Sequence, residues 1–119
     1  MGVVQIILRA EQVALFAAGV IAYLALGGNA LLLLPLLLAI DLSMVGYLAG
    51  PRLGAITYNA GHNLVLALLA LGIGFWTGAP WLQLLAAIWV AHIGMDRSLG
   101  YGLKLPTDFR DTHLGRIGR

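Results

Sequence analysis

Residues 30–49 read ALLLLPLLLAIDLSMVGYLA, an apolar segment in which Asp41 is the only charged side chain. A helix of about 20 apolar residues is long enough to cross the hydrocarbon core of a bilayer. The same character continues in both directions, because between Gln12 and Met95 only Asp41 and Arg52 carry a full charge. The sequence therefore predicts an integral membrane protein made of helices.

The composition excludes several other classes of protein. Of the 119 residues, 61% are hydrophobic and only 10% are charged, whereas a soluble domain has about 25% charged residues. There is no cysteine, which rules out disulfides, thiol catalysis and cysteine-bound zinc. The pI of about 9.4 comes largely from a basic C-terminal tail without an aromatic stacking platform, so we expect contact with membrane lipid and no nucleic-acid binding.

The predicted fold is all-α, a bundle of four transmembrane helices that occupies residues 1–103, followed by a short basic tail at residues 104–119. Glycine, proline and asparagine mark the turns, at Gly27–Asn29, Gly50–Arg52 and Trp76–Pro80. The helices are expected at about residues 6–26 (from Ile6 or from Gln12), 30–49, 53–75 and 81–101. In this arrangement Gly46, Gly50 and Gly54 would allow close packing at the second turn.

The loop charges predict the orientation. With four spans, Arg9, Arg52 and the tail lie on one side of the membrane, and the other two loops carry no charge. The positive-inside rule assigns the charged side, and therefore both termini, to the cytoplasm. Trp76 and Trp81 are expected to anchor the opposite side at the level of the headgroups.

Polar side chains inside the apolar segments are the functional candidates, because a charge at the bilayer centre costs at least about 2.5–3.5 kcal/mol. Asp41 and His62 lie eleven and ten residues from Arg52, which places both about 15 Å from the turn. His92 and Asp96 precede the tail by a similar length of helix. Three separate spans therefore place a carboxylate or an imidazole in one layer.

The spacing of these residues predicts which way they face. Tyr58, Asn59, His62 and Asn63 form one polar stripe on a helix, and His92 lies four residues before Asp96. In lipid such stripes are satisfied only by turning towards one another. We therefore predict His62, His92 and Asp41 as metal ligands and Asp41, Asp96 and Asn59 as catalytic residues. Further candidates are Glu11, Ser43, Tyr58, Asn63, Arg97, Asp111 and His113, the last two in a tail that would fold back over the site.

Several segments together resemble a known family. They are 41–47 (DLSMVGY), 50–54 (GPRLG), 58–62 (YNAGH), 92–97 (HIGMDR), 100–104 (GYGLK) and 109–115 (FRDTHLG). With them the chain resembles, over nearly its whole length, the bacterial membrane family known as domain of unknown function 4260. The resemblance implies a small multi-pass protein of the bacterial inner membrane and supplies no activity.

Three functions are compatible with the polar layer. Histidines and carboxylates without cysteine suit a divalent metal, zinc first, which lowers the pKa of bound water and polarises a carbonyl or phosphoryl oxygen. The leading hypothesis is therefore a metal-dependent, hydrolase-like enzyme directed at lipid. The alternative is an ion, proton or small-solute transporter that uses an Asp–His relay and, with so few helices, requires a homo-oligomer. In a third interpretation the layer only fixes helix packing.

Overall fold

The computed structural model describes residues 2–117 and is mainly helical. The helices are α1 (Val3–Ala25), α2 (Ala30–Ala39), the 3-10 helix η1 (Ile40–Ala49), α3 (Pro51–His62), α4 (Leu64–Thr77) and α5 (Pro80–Leu99). A small antiparallel pair, β1 (Asp111–Thr112) and β2 (Gly115–Arg116), follows in the tail. The predicted all-α bundle is confirmed.

Three stretches of this fold are long and apolar enough to cross a membrane: Val3–Ala25, Ala30–Ala49 and Pro51–Thr77. Most of their leucine, isoleucine and valine side chains lie on the outside of the protein. The fourth predicted span corresponds to α5, which is 20 residues long but carries His92, Asp96 and Arg97. The number of spans and the side on which the termini lie stay predictions.

The α5 helix is the centre of the bundle and packs against α1, α2 and α4. Its middle turns are almost completely buried, with Ile88, His92 and Ile93 at most 1% exposed. The antiparallel helix α1 approaches α5 very closely because glycines occupy two of the contact positions, one on each helix. A Cβ on Gly19 would lie 2.7 Å from the carbonyl oxygen of Ala87, and one on Gly94 would lie 2.6 Å from the backbone nitrogen of Phe16.

The third predicted span is not one continuous helix. The chain leaves helical geometry at Asn63, whose φ of −102° and ψ of 140° are those of extended backbone, and α4 begins at Leu64. The side chain of Asn63 forms hydrogen bonds with backbone groups at both of the helix ends that this break creates. Its side-chain oxygen accepts a hydrogen bond from the backbone nitrogen of Leu66 at 2.9 Å, and its amide nitrogen donates to the carbonyl oxygens of Asn59 and Ala60 at 2.8 and 3.1 Å.

The second predicted span also changes character within its length. It is α-helical as far as Ala39 and continues as a 3-10 helix from Ile40 to Ala49. Runs of 3-10 helix longer than three or four residues are uncommon and often mark functional segments. Asp41 lies at the start of this run, so the change in helix type coincides with a candidate site residue.

The predicted close packing at the second turn is present. Gly50, with a φ of 119°, adopts a conformation that side chains disfavour, and it lets η1 and α3 fold against each other as a hairpin. A Cβ on Gly46 would collide with Thr57, and one on Gly54 would collide with the ring of Tyr47. This hairpin brings the start of η1 next to the end of α3.

The tail folds back onto the hairpin. Lys104 pairs with Thr112 in an isolated antiparallel bridge, and both residues are only 4% exposed. The ring of Phe109 meets the ring of Tyr47 edge-on, with 5.2 Å between the centroids. Arg119, which contributes to the predicted basic charge of the tail, lies outside the described residues.

The two glycine contacts between α1 and α5 make the packing of the bundle testable. We expect Gly94→Ala to destabilise the protein by about 1–3 kcal/mol, because the added methyl group meets backbone atoms that cannot rotate away. The matched control is Gly72→Ala on α4, where nothing lies within 4 Å of an added Cβ. Thermal unfolding in detergent should show a lower midpoint for Gly94→Ala alone; equal midpoints for the two variants would contradict this account of the packing.

Candidate metal centre

Four ionisable side chains from three elements converge on one point. Asp41 comes from the start of η1, His62 is the last residue of α3, and His92 and Asp96 lie one turn apart on α5. One ligand atom from each residue lies within 4.8 Å of the other three. The sequence-based prediction that these four residues share one layer and face one another is confirmed.

The distances between their ligand atoms are nearly equal. The Nε2 atoms of His62 and His92 are 3.0 Å apart. The Oδ1 atom of Asp41 lies 3.2 Å from Nε2 of His62 and 3.1 Å from Nε2 of His92. The Oδ2 atom of Asp96 lies 3.3 Å and 3.2 Å from the same two nitrogens. Five of the six separations among four atoms therefore fall between 3.0 and 3.3 Å.

These five separations are at or slightly below those in the shell of a tetrahedral metal ion, and the sixth is at most 4.8 Å. Zinc binds imidazole nitrogen and carboxylate oxygen at about 2.0–2.2 Å, which places the ligand atoms about 3.3–3.5 Å from one another at the corners of a tetrahedron. Two histidines and two carboxylates without sulfur are also a donor set that suits zinc and other divalent ions. The residues present therefore fit a divalent metal.

The orientation of each imidazole is fixed by a backbone carbonyl. Nδ1 of His92 donates to the carbonyl oxygen of Leu37 at 2.7 Å, and Nδ1 of His62 donates to that of Tyr58 at 2.9 Å. A carbonyl only accepts, so each neutral ring carries its proton on Nδ1 and presents the lone pair of Nε2 to the centre. This is the outer-shell pattern that orients histidine ligands in metalloproteins.

Further contacts hold the ligands in place. The ring of Tyr58 stacks on that of His62, with centroids 3.7 Å apart and 7° between the planes, and its hydroxyl donates to Oδ2 of Asp96 at 3.4 Å. Ser43 Oγ lies 3.2 Å from Nδ1 of His62. The indole nitrogen of Trp89 donates to the carbonyl of Gly61 and so ties the end of α3 to α5. Tyr58 and Ser43 thus support the centre from outside it.

The four side chains of the cluster differ in their accessibility. The side chains of His62 and His92 are 3% and 0% exposed, and that of Asp96 is 13% exposed. The side chain of Asp41, by contrast, is 42% exposed. A molecule that reaches the centre from outside the protein therefore meets Asp41 first.

Two predicted site residues, one on α3 and one on α5, form hydrogen bonds with backbone groups. Asn59 points to the tail, where its Oδ1 accepts from the backbone nitrogen of Lys104 at 2.6 Å and its Nδ2 donates to the carbonyl of Lys104 at 2.8 Å. Arg97 donates to the carbonyl of His62 at 3.1 Å. A catalytic role for Asn59 stays a prediction, and its amide is occupied by the tail.

The remaining candidates lie away from the cluster. Glu11 is exposed on α1. Asp111 pairs with Arg116, and its pKa is lowered, first by the hydrogen bond from the Thr107 hydroxyl. His113 accepts a hydrogen bond on Nδ1 from the backbone nitrogen of Leu103 at 2.8 Å. The tail folds back onto the hairpin, and neither Asp111 nor His113 contributes a ligand atom to the cluster.

Sequence reasoning missed the role of Lys104, which it counted only as a basic residue of the tail. Its Nζ lies 3.9 Å from the centroid of the Phe109 ring and 4.9 Å from that of Tyr58, at distances typical of cation–π contacts. Burial lowers the pKa of its ammonium group. Lysine spacing alone could not reveal this contact, because it depends on a long reversal of the chain after α5.

The comparisons with known proteins agree with the sequence motifs. Residues 5–117 match the model of the family described as Domain of unknown function (DUF4260). The chain therefore belongs to this family, which accounts for nearly all of its length. No curated protein and no solved structure matches the chain.

The contact between Asn59 and Lys104 predicts how firmly the tail is held. Asn59→Ala removes both hydrogen bonds, and we expect residues 103–113 to open about tenfold more often, since a net hydrogen bond contributes about 0.5–1.5 kcal/mol. Cleavage by trypsin after the buried Lys104 should accelerate accordingly. Asn29→Ala, which removes the side-chain cap of α2 instead, is the matched control. Equal cleavage rates in the two variants would show that Asn59 does not hold the tail.

Proposed function

We propose that the chain is a membrane protein of the bacterial inner membrane that binds a divalent metal, zinc first, through Asp41, His62, His92 and Asp96. The observation that carries the proposal is the set of near-equal separations of 3.0–3.3 Å among these ligand atoms. The three apolar stretches support placement in a membrane. A metal ion bound there would supply Lewis acidity and an activated water near neutral pH.

The reaction class that we propose is hydrolysis of a lipid substrate. His62, His92 and Asp96 would be the permanent ligands, because they are buried and their orientations are fixed by hydrogen bonds. Asp41 would be the most accessible residue of the set, because its carboxylate is partly exposed and follows the change from α to 3-10 helix. This carboxylate would accept a proton from water as the general base.

Lipid is the proposed substrate class because the surface next to the exposed Asp41 carboxylate is apolar. Leu42 and Val45, which follow Asp41 on η1, are 76% and 62% exposed. An exposed apolar surface of this kind favours contact with lipid acyl chains over water. A lipid ester or phosphoester in the adjacent leaflet would reach Asp41 without leaving the membrane.

The metal content of the purified protein tests the ligand assignment. We expect about one equivalent of zinc or another divalent ion in the wild type and loss of that ion in His92→Ala, because His92 supplies a fully buried ligand atom. His113→Ala is the matched control, since this exposed histidine lies outside the cluster. Both variants are compared by elemental analysis after purification without chelator or histidine tag, and by unfolding temperature to confirm that they fold.

Retention of the metal by folded His92→Ala, or a wild type that stays free of metal after supplementation, would contradict the proposal. Zinc lost equally from His113→Ala would also contradict it. A metal-free protein that moves protons or ions across vesicle membranes, with a loss of flux in Asp41→Asn, would support the transport alternative instead.

Activity gives the second readout. In vesicles of phosphatidylglycerol and diacylglycerol, metal-loaded wild type should release fatty acid or headgroup, measured by mass spectrometry. We expect Asp41→Asn to reduce this release by at least about 100-fold, the lower end of what a general base contributes. Asp108→Asn, in the tail, should leave the rate unchanged. Equal rates for Asp41→Asn and the wild type would show that Asp41 is not the base.

A further inference from the structure

A cleft at the C-terminal end of α5 is lined by positive charge. It lies between the first turns of α1, the last turn of α5 and the tail, and its volume is about 300 Å³. Its polar lining consists of Gln5, Arg9, Gln12, Arg97 and His113. An adjoining cavity of about 430 Å³ shares Arg9 and adds Arg116.

The close packing of α1 on α5 explains why two arginines, Arg9 and Arg97, line the same cleft. A Cβ on Gly94 would lie 2.8 Å from the carbonyl oxygen of Gln12. Arg9 lies three residues before Gln12 on α1, and Arg97 lies three residues after Gly94 on the antiparallel α5. One turn beyond the contact, both guanidinium groups therefore reach the same cleft.

Arg116 in the adjoining cavity is paired with Asp111, whereas Arg9 and Arg97 form no ion pair with any described residue. Among residues 2–117, no carboxylate lies within salt-bridge distance of Arg9 or Arg97, and no acidic side chain lines either cavity. The pKa of His113 is lowered, first by burial and then by the charge of Arg97. Two like charges facing one cavity favour an anionic ligand, and guanidinium groups match phosphate through paired hydrogen bonds.

One residue that lines the cleft has a side-chain oxygen that accepts no hydrogen bond from the described residues. Oε1 of Gln12 is buried and, among the described residues, receives no hydrogen bond. An unpaired buried oxygen is unfavourable, and a hydroxyl group next to a phosphate would satisfy it. Because Nδ1 of His113 accepts from the backbone, its neutral ring carries the proton on Nε2 and is a further donor.

The rim of the cleft indicates the source of the phosphate. Leu8, Leu99 and Leu114 line the two cavities and are 53%, 63% and 53% exposed. A free phosphate ion makes no favourable contact with an apolar rim, whereas the acyl chains of a lipid would pack against these leucine side chains. We propose that the cleft between Arg9 and Arg97 binds the phosphate of a membrane lipid headgroup.

The cleft and the candidate metal centre share the last turns of α5. Arg97 follows the ligand Asp96 directly, and it donates to the carbonyl oxygen of the ligand His62 at 3.1 Å. Arg97 is thus common to both. Binding of the headgroup is independent of the metal, but the further step, in which the cleft holds the phosphate of a lipid substrate, rests on the proposed function.

The experiment compares three probes on metal-free protein in detergent: dioleoyl phosphatidate, dioleoylglycerol with the same acyl chains but no phosphate, and inorganic phosphate. Binding is measured by native mass spectrometry for the lipids and by calorimetry for phosphate. We expect phosphatidate to bind at least tenfold more tightly than either of the others. Arg9→Gln should weaken phosphatidate binding at least tenfold, as loss of a charged hydrogen-bond donor does.

Arg52→Gln is the matched control, because Arg52 is exposed at the turn between η1 and α3 and lines neither cavity; it should bind phosphatidate as the wild type does. Equal binding of phosphatidate and dioleoylglycerol, or wild-type binding by both Arg9→Gln and Arg97→Gln, would overturn the proposal. If inorganic phosphate bound as tightly as phosphatidate, the inference that the bound phosphate belongs to a lipid would be overturned. Metal content is measured on the same variants as purified, before the metal is removed for the binding assay, and its retention in Arg9→Gln separates failure of the cleft from failure of the metal centre.

Discussion

The structure depends on the convergence of two imidazoles and two carboxylates at one point. The imidazoles of His62 and His92 donate through Nδ1 to carbonyl groups, so in the neutral rings the lone pairs of Nε2 face the carboxylates of Asp41 and Asp96. Four acceptors at these distances repel one another unless a positive charge lies between them. The divalent ion that we propose would satisfy all four at once.

The local irregularities of the fold follow from this centre. η1 starts at the residue before Asp41, and α3 ends at His62. Asn63 caps the next helix and secures the end of α3, while Arg97 satisfies the carbonyl of His62. These two departures from regular α-helix lie next to residues of the cluster, and the backbone groups freed at the end of α3 form hydrogen bonds within the protein.

The sequence predicted the helical class and the convergence of four polar side chains because both depend on hydropathy and spacing. A buried charge in an apolar segment must find a partner, and similar distances from the turns bring Asp41, His62, His92 and Asp96 to one level. The break at Asn63 was not predictable in this way, because Asn63 continues the polar stripe of α3 in sequence. The positions of Lys104 and of the Arg9–Arg97 cleft were also beyond prediction, since they depend on how the tail and α1 pack in three dimensions.

The central claim is that these four side chains bind one divalent ion together. X-ray absorption spectroscopy at the zinc edge, on protein loaded with one equivalent of zinc, tests it most directly. The account predicts four nitrogen or oxygen neighbours at about 2.0–2.2 Å, with outer-shell scattering from two imidazole rings that is lost in the His62→Ala/His92→Ala double variant. A spectrum without imidazole scattering, or one unchanged in the double variant, would contradict it.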